Sequence, residues 1–93
     1  MEKPNHLALY EHELCGFCQS VRRSTSDLGV EFESRNILRE PGRRQELIEG
    51  GGKGMVPCLR IEYPDGRVEW MYESSDIVDY LKRLDAEDGS GQS

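Results

Sequence analysis

Residues 6–29 read HLALYEHELCGFCQSVRRSTSDLG, and their reading decides the fold. His6 to Glu11 is a short apolar run with polar borders, the pattern of a buried strand. From Gly16 onward Phe17, Val21 and Leu28 fall at helical spacing, and Gly29 supplies a stop. Two thiols, Cys15 and Cys18, stand where the strand gives way to the helix. A helix that starts at Gly16 puts Cys15 at its N-cap, with the sulfur facing backbone amides that have no partner inside the helix. Those amides and the positive end of the helix dipole stabilise a thiolate over a thiol. Cys18 lies one turn further on the same side, deeper, and close enough to attack a mixed disulfide formed on Cys15. The spacing therefore predicts a nucleophile at Cys15 and a resolving thiol at Cys18.

Outward from this junction, VEFESRNI (residues 30–37) reads as a second strand. EPGRRQELIEGGGKG (40–54) carries Pro41 near a helix start and a glycine cluster after its end. Pro57 to Tyr63 and Arg67 to Tyr72 are alternating runs joined by Pro-Asp-Gly, a hairpin signal. In ESSDIVDYLKRL (73–84), Ser74 or Ser75 can cap, and Ile77, Val78, Leu81 and Leu84 form an apolar stripe. The order β-α-β-α-β-β-α implies a parallel pair at the front, an added hairpin at the back, and helices for both faces. We expect an α/β three-layer sandwich with a four-stranded mixed sheet, formed by a single domain over residues 1–86, with an acidic Gly/Ser tail at 87–93 disordered for want of anything to bury.

The chain has 93 residues, a net charge of −6 and three cysteines. That charge argues against a nucleic-acid partner, because phosphate backbones are held by clustered Lys and Arg. No apolar run approaches a membrane span, and the charged, polar start MEKPNHLALY does not read as a secretory signal. A cytoplasmic protein is expected, with no membrane partner and as a monomer. An odd number of cysteines in that setting does not make a disulfide scaffold, so the paired thiols point to redox chemistry or metal. Zinc would need Cys58 and His6 or His12 to complete the set, without a second Cys-x-x-Cys or His-x-x-His. An iron–sulfur cluster shared between two chains, with Cys15 as ligand and a small thiol cofactor, is the stronger metal alternative.

Three further segments matter. Val56-Pro57 invites a cis peptide bond, which would turn the Val56 backbone toward an extended peptide-like substrate; a trans proline that merely opens a strand is the other reading. Cys58 is assigned to the core. GGGKG (50–54) follows a helix and has Met55 where a phosphate loop needs Ser or Thr, so that reading is rejected. Glu73, Ser74 and Ser75 offer free amides, hydroxyls and a carboxylate at a helix start, either a ligand site or an ordinary cap.

Taken together, Cys-Gly-Phe-Cys at a strand end, MVPCL some forty residues later and YESSDIVDYL opening the last helix resemble the glutaredoxin family and the N-terminal domain of glutathione transferases, both with the thioredoxin fold. The resemblance covers Leu7 to about Leu84. It implies a glutathione-dependent thiol–disulfide oxidoreductase acting in cell redox homeostasis on glutathionylated or disulfide-bonded proteins, with Cys15 and Cys18 catalytic and glutathione as co-substrate. It also implies that Val56, beside cis Pro57, pairs with the glutathione backbone, that Glu73, Ser74 and Ser75 hold its γ-glutamyl end, and that Phe17 gives it a flat apolar contact. His12 stands where glutaredoxins usually place a lysine near the glycine carboxylate. Gly16 in place of proline resembles the monothiol glutaredoxins that carry iron–sulfur clusters, but Cys18 departs from their Cys-Gly-Phe-Ser. A transferase-like glutathione-binding domain is the other alternative; conjugation of electrophiles would call for the helical domain that forms the second substrate pocket, which these residues do not contain.

Overall fold

A computed structural model describes residues 2–89. Its elements are β1 (His6–Glu11), α1 (Gly16–Thr25), β2 (Glu33–Asn36), α2 (Arg43–Gly51), β3 (Cys58–Glu62), β4 (Val68–Met71) and α3 (Ser74–Gly89). They form one four-stranded sheet in the order β2-β1-β3-β4. β1 runs parallel to β2, with Leu9 beside Ser34, and antiparallel to β3, with Leu9 beside Leu59; β4 closes the far edge antiparallel to β3. This is the expected mixed sheet and thioredoxin-like α/β arrangement.

β1 is apolar from Leu7 to Tyr10 because it is central and covered on both faces. Leu7 and Leu9 join Leu59 and Ile61 under Val21 of α1 and Ile77, Leu81 and Leu84 of α3. Tyr10 and Cys58 point to the opposite face and pack with Leu47 of α2. The period-two alternation thus sends neighbouring residues into two separate clusters, one on each side of the sheet.

Several expectations need correcting. Only Glu33–Asn36 of the predicted second strand pairs with β1, while Val30 and Phe32 pack against the core from the preceding loop. Phe17, at helical spacing with Val21, is 68% exposed, whereas Cys18 of the same turn is buried. α2 takes in Gly50 and Gly51 rather than ending before them, and Gly52, at φ 92°, closes it by donating to the Ile48 carbonyl. Packing explains the two helical glycines. A Cβ at Gly50 would lie 2.1 Å from the Trp70 ring, and one at Gly51 would lie 2.0 Å from the Tyr72 hydroxyl.

At α3 the capping position falls to Glu73, whose carbonyl accepts from the Ile77 amide at 2.9 Å; Ser74 and Ser75 lie inside the first turn. Burial of Ile77, Leu81 and Leu84 sets that phase, with Val78 only partly covered. The helix also runs through Gly89, beyond the boundary expected at residue 86, with Asp85 accepting from the Gly29 amide at 2.7 Å. The remainder of the predicted disordered tail, residues 90–93, lies outside the described residues. The Pro-Asp-Gly hairpin turn forms as expected, with Gly66 at φ 94° and the Tyr63 amide donating to Arg67.

Candidate functional site

Chain direction reverses after β1, and the turn is held locally. The Leu14 amide donates to His12 Nδ1 at 3.2 Å, and the Cys15 amide donates to the His12 carbonyl at 3.3 Å. His12 is thus built into the loop that delivers Cys15 to the start of α1. Cys15 is the N-cap in extended geometry, φ −97° and ψ 115°, and its sulfur accepts from the Cys18 amide at 3.2 Å. One of the orphan donors at the helix start is therefore satisfied by sulfur, where a serine or aspartate oxygen would ordinarily serve.

The Val56–Pro57 bond is cis, which decides between the two readings of that segment. Pro57 is buried, and the Val56 carbonyl faces Cys15, whose thiol donates to it at 3.8 Å. Residues 41 apart in the chain meet here because the loop before β3 and the loop after β1 emerge from adjacent strands.

The three cysteines are free and differ in access. Cys15 is partly exposed, whereas Cys18 and Cys58 are buried. Burial pushes the Cys18 thiol up to about 12, helped by its hydrogen bond with Cys15. Burial likewise pushes Cys58 up to about 12. Cys58 is a core residue, as expected. Among the described residues no group of three or more His, Cys, Asp or Glu is arranged to hold a metal ion, and no helix is long and apolar enough to cross a membrane.

Around Cys15 the surface is apolar, with Leu14, Phe17 and Met55 all exposed. Ser74 and Ser75 line a groove of about 370 Å³ together with Ser20 and Ser24 of α1, one and two turns along from Phe17 on the same helical face. Glu73 is exposed at the mouth of α3. The fold thus joins His12, Cys15, Cys18, Val56 and Pro57 directly, and sets the Ser74–Ser75 groove against α1. A second groove, of about 530 Å³, lies on the α2 side over Tyr10, Arg35 and Trp70, with Cys15 and Cys18 absent from its lining.

Residues 9–89 match the family model for the N-terminal domain of glutathione S-transferase. The chain belongs to that family. The curated glutaredoxin 3 of Escherichia coli is 28% identical over 57 residues, covering 61% of this chain and 69% of that one. The trimeric glutathione transferase TDR1 of Leishmania superposes with a TM-score of 0.69 at 25% identity, covering 89% of this chain and 18% of that one. A maleylacetoacetate isomerase from Anaeromyxobacter dehalogenans, solved with glutathione in its active site, gives a TM-score of 0.63 at 24% identity, covering 88% of this chain and 38% of that one. The chain spans under two fifths of the length of these two structures.

Sequence reading passed over one part of this transferase N-terminal domain. Glu11, at the end of β1, is 5% exposed and pairs with Arg22 of α1 and Ser34 of β2. The available signal was its period-two alignment with Leu7 and Leu9, which sends all three side chains to one face.

Proposed function

We propose that this domain is a glutathione-dependent thiol–disulfide oxidoreductase. The observation that supports this most is the N-cap sulfur of Cys15, partly exposed, fed by the Cys18 amide and bordered by the cis Val56–Pro57 segment. The thiolate is the form that attacks disulfides, and this sulfur is both reachable from solvent and met by a backbone donor. In the proposed reaction the Cys15 thiolate attacks the glutathione sulfur of a glutathionylated protein. The old S–S bond breaks, the protein leaves as a thiolate and takes a proton from solvent, and Cys15 carries glutathione. A second glutathione thiolate then attacks that adduct, releasing oxidised glutathione and the Cys15 thiolate.

For glutathione itself, the Val56 carbonyl is the acceptor for the tripeptide's backbone, and the Ser74 and Ser75 amides at the positive end of α3 receive the γ-glutamyl carboxylate, with Glu73 toward its amino group. Phe17 supplies an apolar wall. His12, tied to the Leu14 amide through Nδ1, keeps Nε2 for the glycine end.

The test is reduction of a glutathione mixed disulfide. Cys15→Ser is expected to abolish it while Cys18→Ser retains most of it; equal losses would contradict the route. The family match favours a second reading, a glutathione-binding domain serving conjugation. Rapid conjugation of a model electrophile by the purified chain, without mixed-disulfide reduction, would select it.

A further inference from the structure

The groove on the α2 side takes no part in the exchange at Cys15, and strand alternation sets its charged floor. Arg35 of β2 stands beside Tyr10, and Arg60 of β3 stands between Ala8 and Trp70, so both arginines rise from the face that carries Tyr10. Both guanidinium groups are held in place. Arg35 donates through Nη1 to the Tyr10 hydroxyl at 2.8 Å and through Nη2 to Glu33 at 3.0 Å, and it lies 5.5 Å from the centre of the Tyr10 ring. Arg60 donates through Nη1 to Glu62 at 2.9 Å and lies 5.7 Å from the centre of the Trp70 ring. Part of each fork is left over. Arg35 Nε is buried with no partner among the described residues, although nearly every buried polar atom in a native fold has one. Among the same residues Arg60 Nε and Nη2 meet no acceptor. Acceptors are left over as well. Gln45 donates to one Glu49 oxygen at 2.7 Å, but no cation among the described residues pairs with Glu49, and Glu62 keeps a second oxygen beyond the one that Arg60 engages. Arg43 and Glu46 on the α2 wall, by contrast, satisfy each other at 3.0 and 3.1 Å.

We propose that this groove binds a small zwitterion, an α-amino acid with an apolar or aromatic side chain. Its carboxylate takes the unused N–H groups of Arg35 and Arg60, its ammonium takes the unused oxygens of Glu49 and Glu62, and its side chain lies against Trp70. Arginines and glutamates line the groove in equal number, so a lone anion would meet the glutamates and a lone cation the arginines. A molecule that carries both charges answers both sets, and a carboxylate matches the planar guanidinium edge. Trp70 is partly exposed, whereas Tyr10 beneath it is 1% exposed, so Trp70 offers the apolar surface that a side chain can reach. At about 530 Å³ the groove has the size of ordinary small-ligand sites, roughly 300–1,000 Å³. Binding here is independent of the exchange reading, because neither Cys15 nor Cys18 lines the groove.

Trp70 is the single tryptophan of the chain, so its fluorescence reports on this groove directly. Titration of the full chain with L-phenylalanine, which is silent at tryptophan-selective excitation, should give a saturable change. Phenylpropionate, which lacks the ammonium, and phenethylamine, which lacks the carboxylate, should each bind at least about tenfold more weakly, the usual loss of a hydrogen bond to a charged group. Arg60→Gln and Glu49→Gln should each raise the dissociation constant for L-phenylalanine by about the same factor, while Arg23→Gln, on α1 outside the groove, should bind as the parent does. Because Arg60 lies over the Trp70 ring, its substitution alters the starting fluorescence, and isothermal titration calorimetry then reads the same constants without the tryptophan. Glu49 is exposed and bonded only to Gln45, so Glu49→Gln decides alone should Arg60→Gln fail to fold. The proposal is overturned by an absent or unsaturable response, by either analogue binding as tightly as L-phenylalanine, by an unchanged constant in Glu49→Gln, or by glutathione, whose γ-glutamyl end carries the same two charges, binding more tightly than the amino acid.

Discussion

The Cys18 amide donates to the Cys15 sulfur across 3.2 Å, so each cysteine of the pair has a different task set by the same helix turn. The first receives the amide at the exposed end of α1; the second supplies it and turns its own sulfur inward, where 1% of the residue remains accessible.

Thiol labelling follows from this difference. In the native protein at neutral pH, a soluble alkylating agent should modify Cys15 alone, because Cys18 and Cys58 are buried and held as thiols. Peptide mass spectrometry should find all three modified only after denaturation. Modification of Cys58 before Cys15 would contradict the assigned roles.

Glycine substitutions should separate by position. Gly50→Ala drives a Cβ to within 2.1 Å of the Trp70 ring and is expected to cost about 1–3 kcal/mol as an overpacked core. Gly16→Ala meets nothing within 4 Å and should be neutral or gain up to about 1 kcal/mol from helix propensity. Thermal melts resolve both, since about 1 kcal/mol moves the midpoint of so small a domain by roughly 4–8 °C.

Alkaline pH should destabilise the fold in a defined window. Cys18 and Cys58 titrate near 9.0 when unperturbed and are pushed up to about 12 by burial. Between those limits the folded state holds protons that the unfolded chain has released, so stability is full below the lower value and falls as pH rises through the window. Burial also raises Tyr10 and Tyr80, which extends the loss at higher pH. Cys58→Ala should make the alkaline limb of a melting curve against pH shallower; an unaltered limb would rule this cause out.

Asp85 ties the end of α3 to the loop after α1 through the Gly29 amide. Asp85→Ala should cost about 1 kcal/mol, the usual worth of such a bond, and should speed amide exchange at Gly29. Unchanged exchange there would show the bond to be dispensable.

Much of the fold was legible because the signals are local. The run from Leu7 to Tyr10, the thiol at the helix start and the Pro-Asp-Gly turn each depend on neighbours a few residues away. The glycine cluster misled for the opposite reason. Gly50 and Gly51 look like a helix stop, but Trp70 and Tyr72, some twenty residues later, press so closely on α2 that only glycine fits within it. Ser74 and Ser75 likewise looked like caps, until packing of Ile77 fixed the helical phase and moved the cap to Glu73.

By itself the sequence determined the order of elements, the placement of Cys15 at a helix start and the pairing of that thiol with a second one a turn away, since hydrogen-bond geometry and side-chain periodicity act over a few residues. Only the tertiary structure decided that Val56 turns its carbonyl to Cys15 and that Glu11 finds Arg22 and Ser34. Those contacts join the start of α1 to the loop before β3, and β1 to α1 and β2, and none exists until burial of the apolar faces brings the elements together.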